Sequence, residues 1–311
     1  MRYLFAPMEG ITTYIFRQIH NRFFPGIDAY YTPFLVANQT RHFKKQELRE
    51  TDPVNNAGIK LVPQILANDA DQFLDALRRI GALGYPSVDL NLGCPMPTVV
   101  SKGKGAGMLR SPEKLDAFLN GIFSGLQSQD PSISIKTRIG FEDASEGIRL
   151  MTIFNRYPVT QLTIHSRRQV DYYKGKPDLK AFGTMLAASE HPVCYNGDLF
   201  SAEDVETFTA RFPQVDMLMI GRGLLRDPAL VRTLQGGTPA SKEELHAYVQ
   251  SLFAAYSESL YGPANAVQRM KELWSYLITQ FPEAGRTKKK LLRAVSPQAY
   301  ETAVEELFAK K

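Results

Sequence analysis

The residue types best suited to chemistry gather around Cys94, in Val88-Asp89-Leu90-Asn91-Leu92-Gly93-Cys94-Pro95. Apolar Val88, Leu90 and Leu92 read as a short buried strand, and Gly93-Cys94-Pro95 breaks it. Pro95 has no backbone donor, so the strand stops at the thiol, at the carboxyl end where α/β folds collect chemistry. A thiol with a pKa near ~8.5 is mostly protonated at neutral pH yet can release its proton, so Cys94 suits a general acid. The competing reading is a small buried hydrophobe, the common fate of free cysteine.

The elements that would position such a group repeat along the chain. Up to about residue 225, β-rich runs alternate with longer amphipathic stretches, with strands expected near 4–7, 29–32, 60–65, 87–91, 132–138, 161–165, 192–196 and 217–220. Eight strands separated by helices, spread over that length, predict an α/β fold of the (β/α)8 TIM-barrel type. Helices are expected at 12–21, 70–82, 112–126, 145–157 and 202–212. Ser111-Pro112-Glu113 offers a cap followed by proline, and Ser201-Ala202-Glu203-Asp204 has capping-box spacing.

Residues just past each strand of a barrel face one mouth. They are Ala6-Pro7-Met8-Glu9-Gly10, Gln64, Asn91 with Cys94, Lys136-Thr137-Arg138, His165-Ser166-Arg167-Arg168, Asn196-Gly197-Asp198 and Gly221-Arg222-Gly223. This mouth is polar and cationic. Glycines after the last two strands, with Arg222, suit an anion held by loop amides, although each pair alone is also an ordinary turn. Lys136 falls within its strand and would point inward, which is costly without an anionic partner such as a reduced flavin. His165 suits a hydrogen-bond donor or a satisfied core histidine. Gln64 suits reading a flavin's alternating edge or capping a loop.

Composition shifts at Gln235-Gly236-Gly237-Thr238-Pro239, a turn-rich break. Beyond it strand signals vanish and helices are expected at 242–260, 264–279, 287–294 and 297–309, giving a barrel domain over 1–235 and a small helical bundle over 240–311. The formal charge of +5 is mild, but seven basic residues and two acidic ones lie between Arg269 and Arg293. That stretch is either a surface facing a polyanion or a solvated helix face. Cys94 and Cys194 lack framework or metal-ligand spacing and fit a reducing compartment, so no metal is expected. With no signal-peptide pattern and no apolar run near the ~20 residues of a membrane span, a cytoplasmic protein, taken as a monomer, is expected.

The constellation resembles the tRNA-dihydrouridine synthases. The matching residues are Ala6-Pro7-Met8-Glu9-Gly10, Gln64, Asp89 to Pro95, Gly103-Lys104-Gly105-Ala106, Lys136, His165 with Arg167, Asn196-Gly197-Asp198 and Gly221-Arg222-Gly223. Arg269-Met270-Lys271-Glu272-Leu273-Trp274-Ser275-Tyr276-Leu277 looks like the start of that family's helical tRNA-binding domain.

The resemblance implies FMN, with Pro7, Met8 and Glu9 beside the ring, Gln64, Lys136 and His165 on its polar edge, and Asn196, Gly197, Asp198, Gly221 and Arg222 at its phosphate end. It implies NAD(P)H as reductant and hydride addition to uridine C6 with Cys94 protonating C5. Asn91 and Arg167 would meet the uridine, and Lys271, Lys288 and Arg293 the tRNA backbone. Two departures, Met96 to Lys102 and Ser166-Arg167-Arg168 in place of Gly-Arg-Thr, touch the substrate side. Two other readings share these residues: an FMN barrel oxidoreductase acting on a small molecule, and a tRNA-binding protein without redox chemistry.

Overall fold

The computed structural model describes residues 1–260 and 262–309. They fall into two compact units. The first holds Met1–Pro7, Asp28–Asp198 and Phe208–Ile220; the second holds Met8–Ile27, Leu199–Thr207 and the residues from Gly221 on.

The first unit is built on parallel strands: β1 (Arg2–Phe5), β2 (Ala29–Tyr31), β3 (Leu35–Val36), β4 (Leu61–Val62), β5 (Gln64–Leu66), β6 (Ser87–Leu92), β7 (Ser132–Arg138), β8 (Leu162–His165), β9 (Val193–Asn196) and β10 (Met217–Ile220). Their order is β3-β5-β6-β7-β8-β9-β10-β1-β2-β4. Pro63 alone separates β4 from β5, and Thr32-Pro33-Phe34 separates β2 from β3, so each pair is one strand broken once. Joined in this way the sheet closes on itself as the expected eight-stranded barrel.

The breaks have a local cause. Tyr31 lies opposite Val62 and Leu35 opposite Ile65, so Thr32-Pro33-Phe34 faces only Pro63-Gln64 across a bulge. Proline cannot donate to a ladder and is tolerated at such a bulge. Thr32 repairs the gap: its amide donates to the Val62 carbonyl at 3.2 Å, and its hydroxyl accepts from the Gln64 amide at 2.9 Å. Gln64 is thereby fixed where the strand reaches the mouth.

Register places Asn91, Lys136, Thr163, Cys194 and Met217 side by side across five strands, an inward-facing layer. One wall of the interior is apolar, with Leu4, Ala29, Val62, Cys194, Met217 and Met219 in a single cluster. The opposite wall carries Asp89 on β6 and Ser134 and Lys136 on β7. Cys194 is fully buried and its burial pushes the thiol up to about 12, whereas Cys94 is only half-buried.

Helices Ala70–Gly81, Pro112–Ser124 and Glu146–Phe154 follow their strands as expected. Ser111 stands at the N-cap position, but its side chain makes no capping bond, and Pro112 alone preorganises that first turn. Leu179–Ala188 is a further helix that the pattern did not announce. It follows the loop-like Lys174-Gly175-Lys176-Pro177-Asp178 and buries only Phe182 and Met185, so its apolar stripe is thin. Its start is set by Asp178, whose carboxylate accepts from the amides of Lys180 and Ala181 at 3.0 and 2.9 Å.

The second unit is helical, with Tyr14–Phe23, Lys242–Ser259, Pro263–Leu277, Gly285–Arg293 and Pro297–Phe308 as its longer elements. Trp274 is completely buried and donates its indole N–H to the Tyr300 hydroxyl at 3.1 Å, satisfying both polar groups in the core. His20 stacks on Phe16, and burial lowers its imidazole to about 3, so it is a neutral core residue. Tyr256 meets the Thr13 hydroxyl at 3.2 Å, tying the helix Tyr14–Phe23 to Lys242–Ser259. The expected capping box at Ser201 forms: the Asp204 amide donates to the Ser201 hydroxyl at 3.2 Å and the Ser201 amide to the Asp204 carboxylate at 3.0 Å.

Candidate active site at the barrel mouth

Cys94 follows β6 by two residues, and each backbone group around it is held. The Asn91 side-chain carbonyl accepts from the Gly93 and Cys94 amides at 3.0 and 2.9 Å. The Gly93 carbonyl accepts from Arg138 Nε at 2.7 Å, the Cys94 carbonyl from the Ala106 amide at 3.0 Å, and the Pro95 carbonyl from Gln169 Nε2 at 3.0 Å. The backbone that carries the thiol is thus held at five points. Gly105 is required for this packing. Its φ is +56°, and a Cβ there would lie 2.8 Å from the Cys94 carbonyl oxygen and 3.0 Å from the Cys94 Cβ.

Beneath this turn runs a polar network. Asn91 Nδ2 donates to Gln64 Oε1 at 2.7 Å, Gln64 Nε2 donates to Asp89 at 2.7 Å, and the Ser134 hydroxyl donates to the other Asp89 oxygen at 2.7 Å. Burial pushes the Asp89 carboxyl up to about 6, against the pull of Gln64, Ser134 and Lys136. Lys136 donates to Asn196 Oδ1 at 2.8 Å, and Asn196 Nδ2 is fixed in turn by the Met219 carbonyl at 2.7 Å. Burial, with Arg138 close by, lowers the Lys136 ammonium to about 8. Arg138 is brought down to about 10 by burial and remains a cation at neutral pH.

His165, at the end of β8, is buried, and its Nε2 lies 3.4 Å from Arg167 Nη1. A guanidinium can only donate, so Nε2 accepts and the ring proton sits on Nδ1. Arg167 was expected to meet substrate. Instead it is buried and turned into the protein. It forms a two-point ion pair with Asp198 at 2.9 and 2.6 Å and donates to the carbonyls of Lys174 and Gly175. This also redirects Asp198, whose carboxylate serves Arg167. Arg168 pairs with Asp171 at 2.7 Å, so the Ser166-Arg167-Arg168 departure builds the loop after β8.

Gln64, Asn91, Cys94, Lys136, His165, Arg167, Asn196, Gly197 and Asp198, with Pro7, lie in the first unit. Met8, Glu9, Gly221 and Arg222 lie in the second. There the Met8 amide donates to the Thr12 hydroxyl at 2.8 Å, Glu9 is exposed, and the Arg222 guanidinium stands 5.5 Å from the Phe200 ring centre.

Of the basic stretch, Arg286, Lys288, Lys289, Lys290 and Arg293 are exposed on the helix Gly285–Arg293. Lys271 is turned inward: its ammonium donates to the Ala294 carbonyl at 3.1 Å, at that helix's C-terminal end, rather than to solvent. Lys290 pairs with Glu306 at 2.8 Å.

Sequence reasoning collected Arg138 and Asp89 without a role and passed over Ser134 and Gln169. A signal for three of them existed. Ser134, Lys136 and Arg138 alternate on one face of β7, and Asp89 interrupts the apolar residues of β6, so both strands carry polar residues into the interior. Among the described residues no cluster of His, Cys, Asp and Glu could hold a metal ion, and no helix is long and apolar enough to cross a membrane.

The chain is similar to the probable tRNA-dihydrouridine synthase 1 of Synechocystis sp., at 26% identity over 309 residues covering 96% of this chain and 83% of that protein. It is also similar to the tRNA-dihydrouridine(16) synthase of Aquipseudomonas alcaligenes, at 28% over 295 residues, covering 91% and 92%. Among solved structures, morphinone reductase superposes with a TM-score of 0.54 at 11% identity, over 78% of this chain and 87% of that one. The old yellow enzyme homologue from Zymomonas mobilis gives 0.55 at 10%, over 78% and 90%. These two likenesses show the shared barrel. The family model for dihydrouridine synthase (Dus) matches residues 4–310, and the chain belongs to the dihydrouridine synthase family.

Proposed function

We propose that this chain carries out its family's reaction, the FMN-dependent reduction of a uridine in tRNA to 5,6-dihydrouridine, with Cys94 as the proton donor. It is a flavin-dependent oxidoreductase that draws electrons from NAD(P)H, and membership of the family sets aside the small-molecule and non-catalytic readings. The donor set at the mouth fits the cofactor. Lys136 is a half-buried cation whose hydrogen-bond acceptor is the neutral Asn196 carbonyl, with a second cation, Arg138, nearby. Such a site suits a guest that carries negative charge on one polar edge.

FMN, once bound and reduced by NAD(P)H, would supply the hydride that adds to uridine C6. Charge then develops over C5, C4 and O4 of the base and needs a proton and cationic support. Cys94 gives its thiol proton to C5. Lys136, Gln64 and His165 are assigned to the polar edge of the cofactor, Pro7, Met8 and Glu9 to its ring, and Asn196, Gly197, Gly221 and Arg222 to its phosphate end. Asn91 acts on the substrate through the Cys94 turn that it caps.

Residues 1–235 would carry catalysis and 240–311 the grip on tRNA, through Lys288, Lys289 and Arg293. The uridine lies in folded RNA and has to leave its stack to reach the thiol, so a separate hold on the backbone is needed. The protein is assigned to the cytoplasm as a monomer.

The observation that carries this reading is the Cys94 turn just past β6, whose backbone is bonded at five points and which lies within electrostatic reach of Lys136 and Arg138. Cys94→Ala tests it. The variant should keep FMN and its absorbance spectrum, and lose uridine reduction by ~10²–10⁴-fold. Mapping dihydrouridine by position in tRNA from cells with and without the protein identifies the uridine reduced. Unchanged turnover in Cys94→Ala removes the thiol from the acid role.

A further inference from the structure

We propose that Asp89 is a positioning residue that fixes the direction of the hydrogen-bond chain Asp89–Gln64–Asn91 and so holds the backbone of Cys94 in place. This inference rests on the assignment of Cys94 as the proton donor. The chain contains two side-chain amides, and an amide can be turned end for end at almost no cost in shape. What decides its direction is what stands at the two ends.

At the inner end is the Asp89 carboxylate, fully buried, which can only accept; it meets Gln64 Nε2 at 2.7 Å. Gln64 must then present its oxygen to Asn91, which donates at 2.7 Å. Asn91 is left with its own oxygen toward the Gly93 and Cys94 amides, which can only donate, at 3.0 and 2.9 Å. An acceptor at one end and donors at the other permit a single arrangement, and each bond polarises the next. Ser134 adds a safeguard. Its hydroxyl donates to the second Asp89 oxygen at 2.7 Å but can equally accept. A neutral Asp89→Asn side chain can therefore give its N–H to Ser134 and keep its carbonyl toward Gln64.

If Asp89 could no longer accept from Gln64, both amides would be free to turn. Asn91 would then bring N–H groups against the N–H groups of the turn, which loses two backbone bonds and lets the thiol wander. Asp89 itself touches neither base nor cofactor in this scheme. Its effect reaches the reaction through Gln64, Asn91 and the Cys94 turn.

The test is site-resolved amide hydrogen exchange at Gly93 and Cys94 in the flavin-free protein, alongside single-turnover oxidation of the reduced holoenzyme by tRNA. Asp89→Leu should speed exchange at both amides at least tenfold and slow tRNA-dependent oxidation. Asp89→Asn should restore protection. Should Asp89→Leu not fold, the double variant Asp89→Asn with Ser134→Ala takes its place, because the side-chain amide introduced at position 89 then has no fixed direction; it should lose protection that each single variant keeps. Unchanged exchange in Asp89→Leu, equal loss in Asp89→Asn, or full protection in the double variant overturns the proposal. The assignment of Cys94 fails separately, through Cys94→Ala turnover, and leaves the exchange result standing.

Discussion

Replacing Lys136 by Met should make the flavin-free protein more stable at neutral pH while impairing its chemistry. The amine lies in the interior layer of the barrel, where burial and the nearby Arg138 lower its pKa from 10.5 to about 8. At ~1.4 kcal/mol per tenfold, holding it charged at pH 7 costs roughly 3 kcal/mol relative to the unfolded chain. Methionine removes that penalty at similar length, but leaves Asn196 Oδ1 without its donor, which returns about 1–3 kcal/mol. The net expectation is a gain of about 1 kcal/mol, or a Tm rise of roughly 2 °C for a chain of this size.

The sign of the pH dependence makes the test sharp. Between about 8 and 10.5 the folded lysine is neutral and the unfolded one charged, so wild-type stability rises relative to the variant across that window. The advantage of Lys136→Met should thus be full at pH 7, shrink above pH 8 and reverse at about pH 9, read by thermal melts of both flavin-free proteins. Oxidation of the reduced holoenzyme by tRNA should slow in parallel. A variant less stable at pH 7, or a difference independent of pH, would refute the view of Lys136 as a cation stored for an anionic guest.

Other outcomes follow from the same geometry. Asp89→Asn should stabilise the flavin-free protein at pH 7 by up to ~3 kcal/mol, because its folded pKa is raised to about 6. Wild type gains stability as pH falls from about 6 toward 4, so the difference should fade there; chemical denaturation at pH 7 and pH 4.5 reads it. Gly105→Ala forces a Cβ against the Cys94 carbonyl at positive φ and should cost about 1–3 kcal/mol in Tm measurements while lowering turnover with FMN content unchanged. Neutralising Lys288, Lys289 and Arg293 together should weaken tRNA binding and make the slope of log affinity against log salt shallower by ~2–3. Adding Lys290, already paired with Glu306, should contribute less. Equal slopes would place the grip elsewhere.

How far the sequence could be read differs between frame and site, and the difference is physical. Each barrel strand announces itself through a short apolar run, because a strand buried on both faces admits few polar residues. Hence all eight lie where expected, and the two that are broken, at Thr32-Pro33-Phe34 and at Pro63, carry their prolines openly. Helices with a broad apolar stripe were equally legible. Leu179–Ala188 was not, since only Phe182 and Met185 reach the core.

At the candidate site, the strand-end positions of these residues were legible and the direction of their side chains was not. The sequence placed Arg167 and Lys271 among residues facing substrate because a cation near a strand end or in a basic run is available in principle. Which way it turns depends on an acceptor distant in sequence: Asp198 for Arg167 and the Ala294 carbonyl for Lys271. The same holds for Gln64, whose amide had two readings and is oriented by Asp89, twenty-five residues away. Local patterning fixes which side chains reach the mouth. The long-range pairing of donors with acceptors then decides which of them, like Arg167 and Lys271, are spent inside the protein.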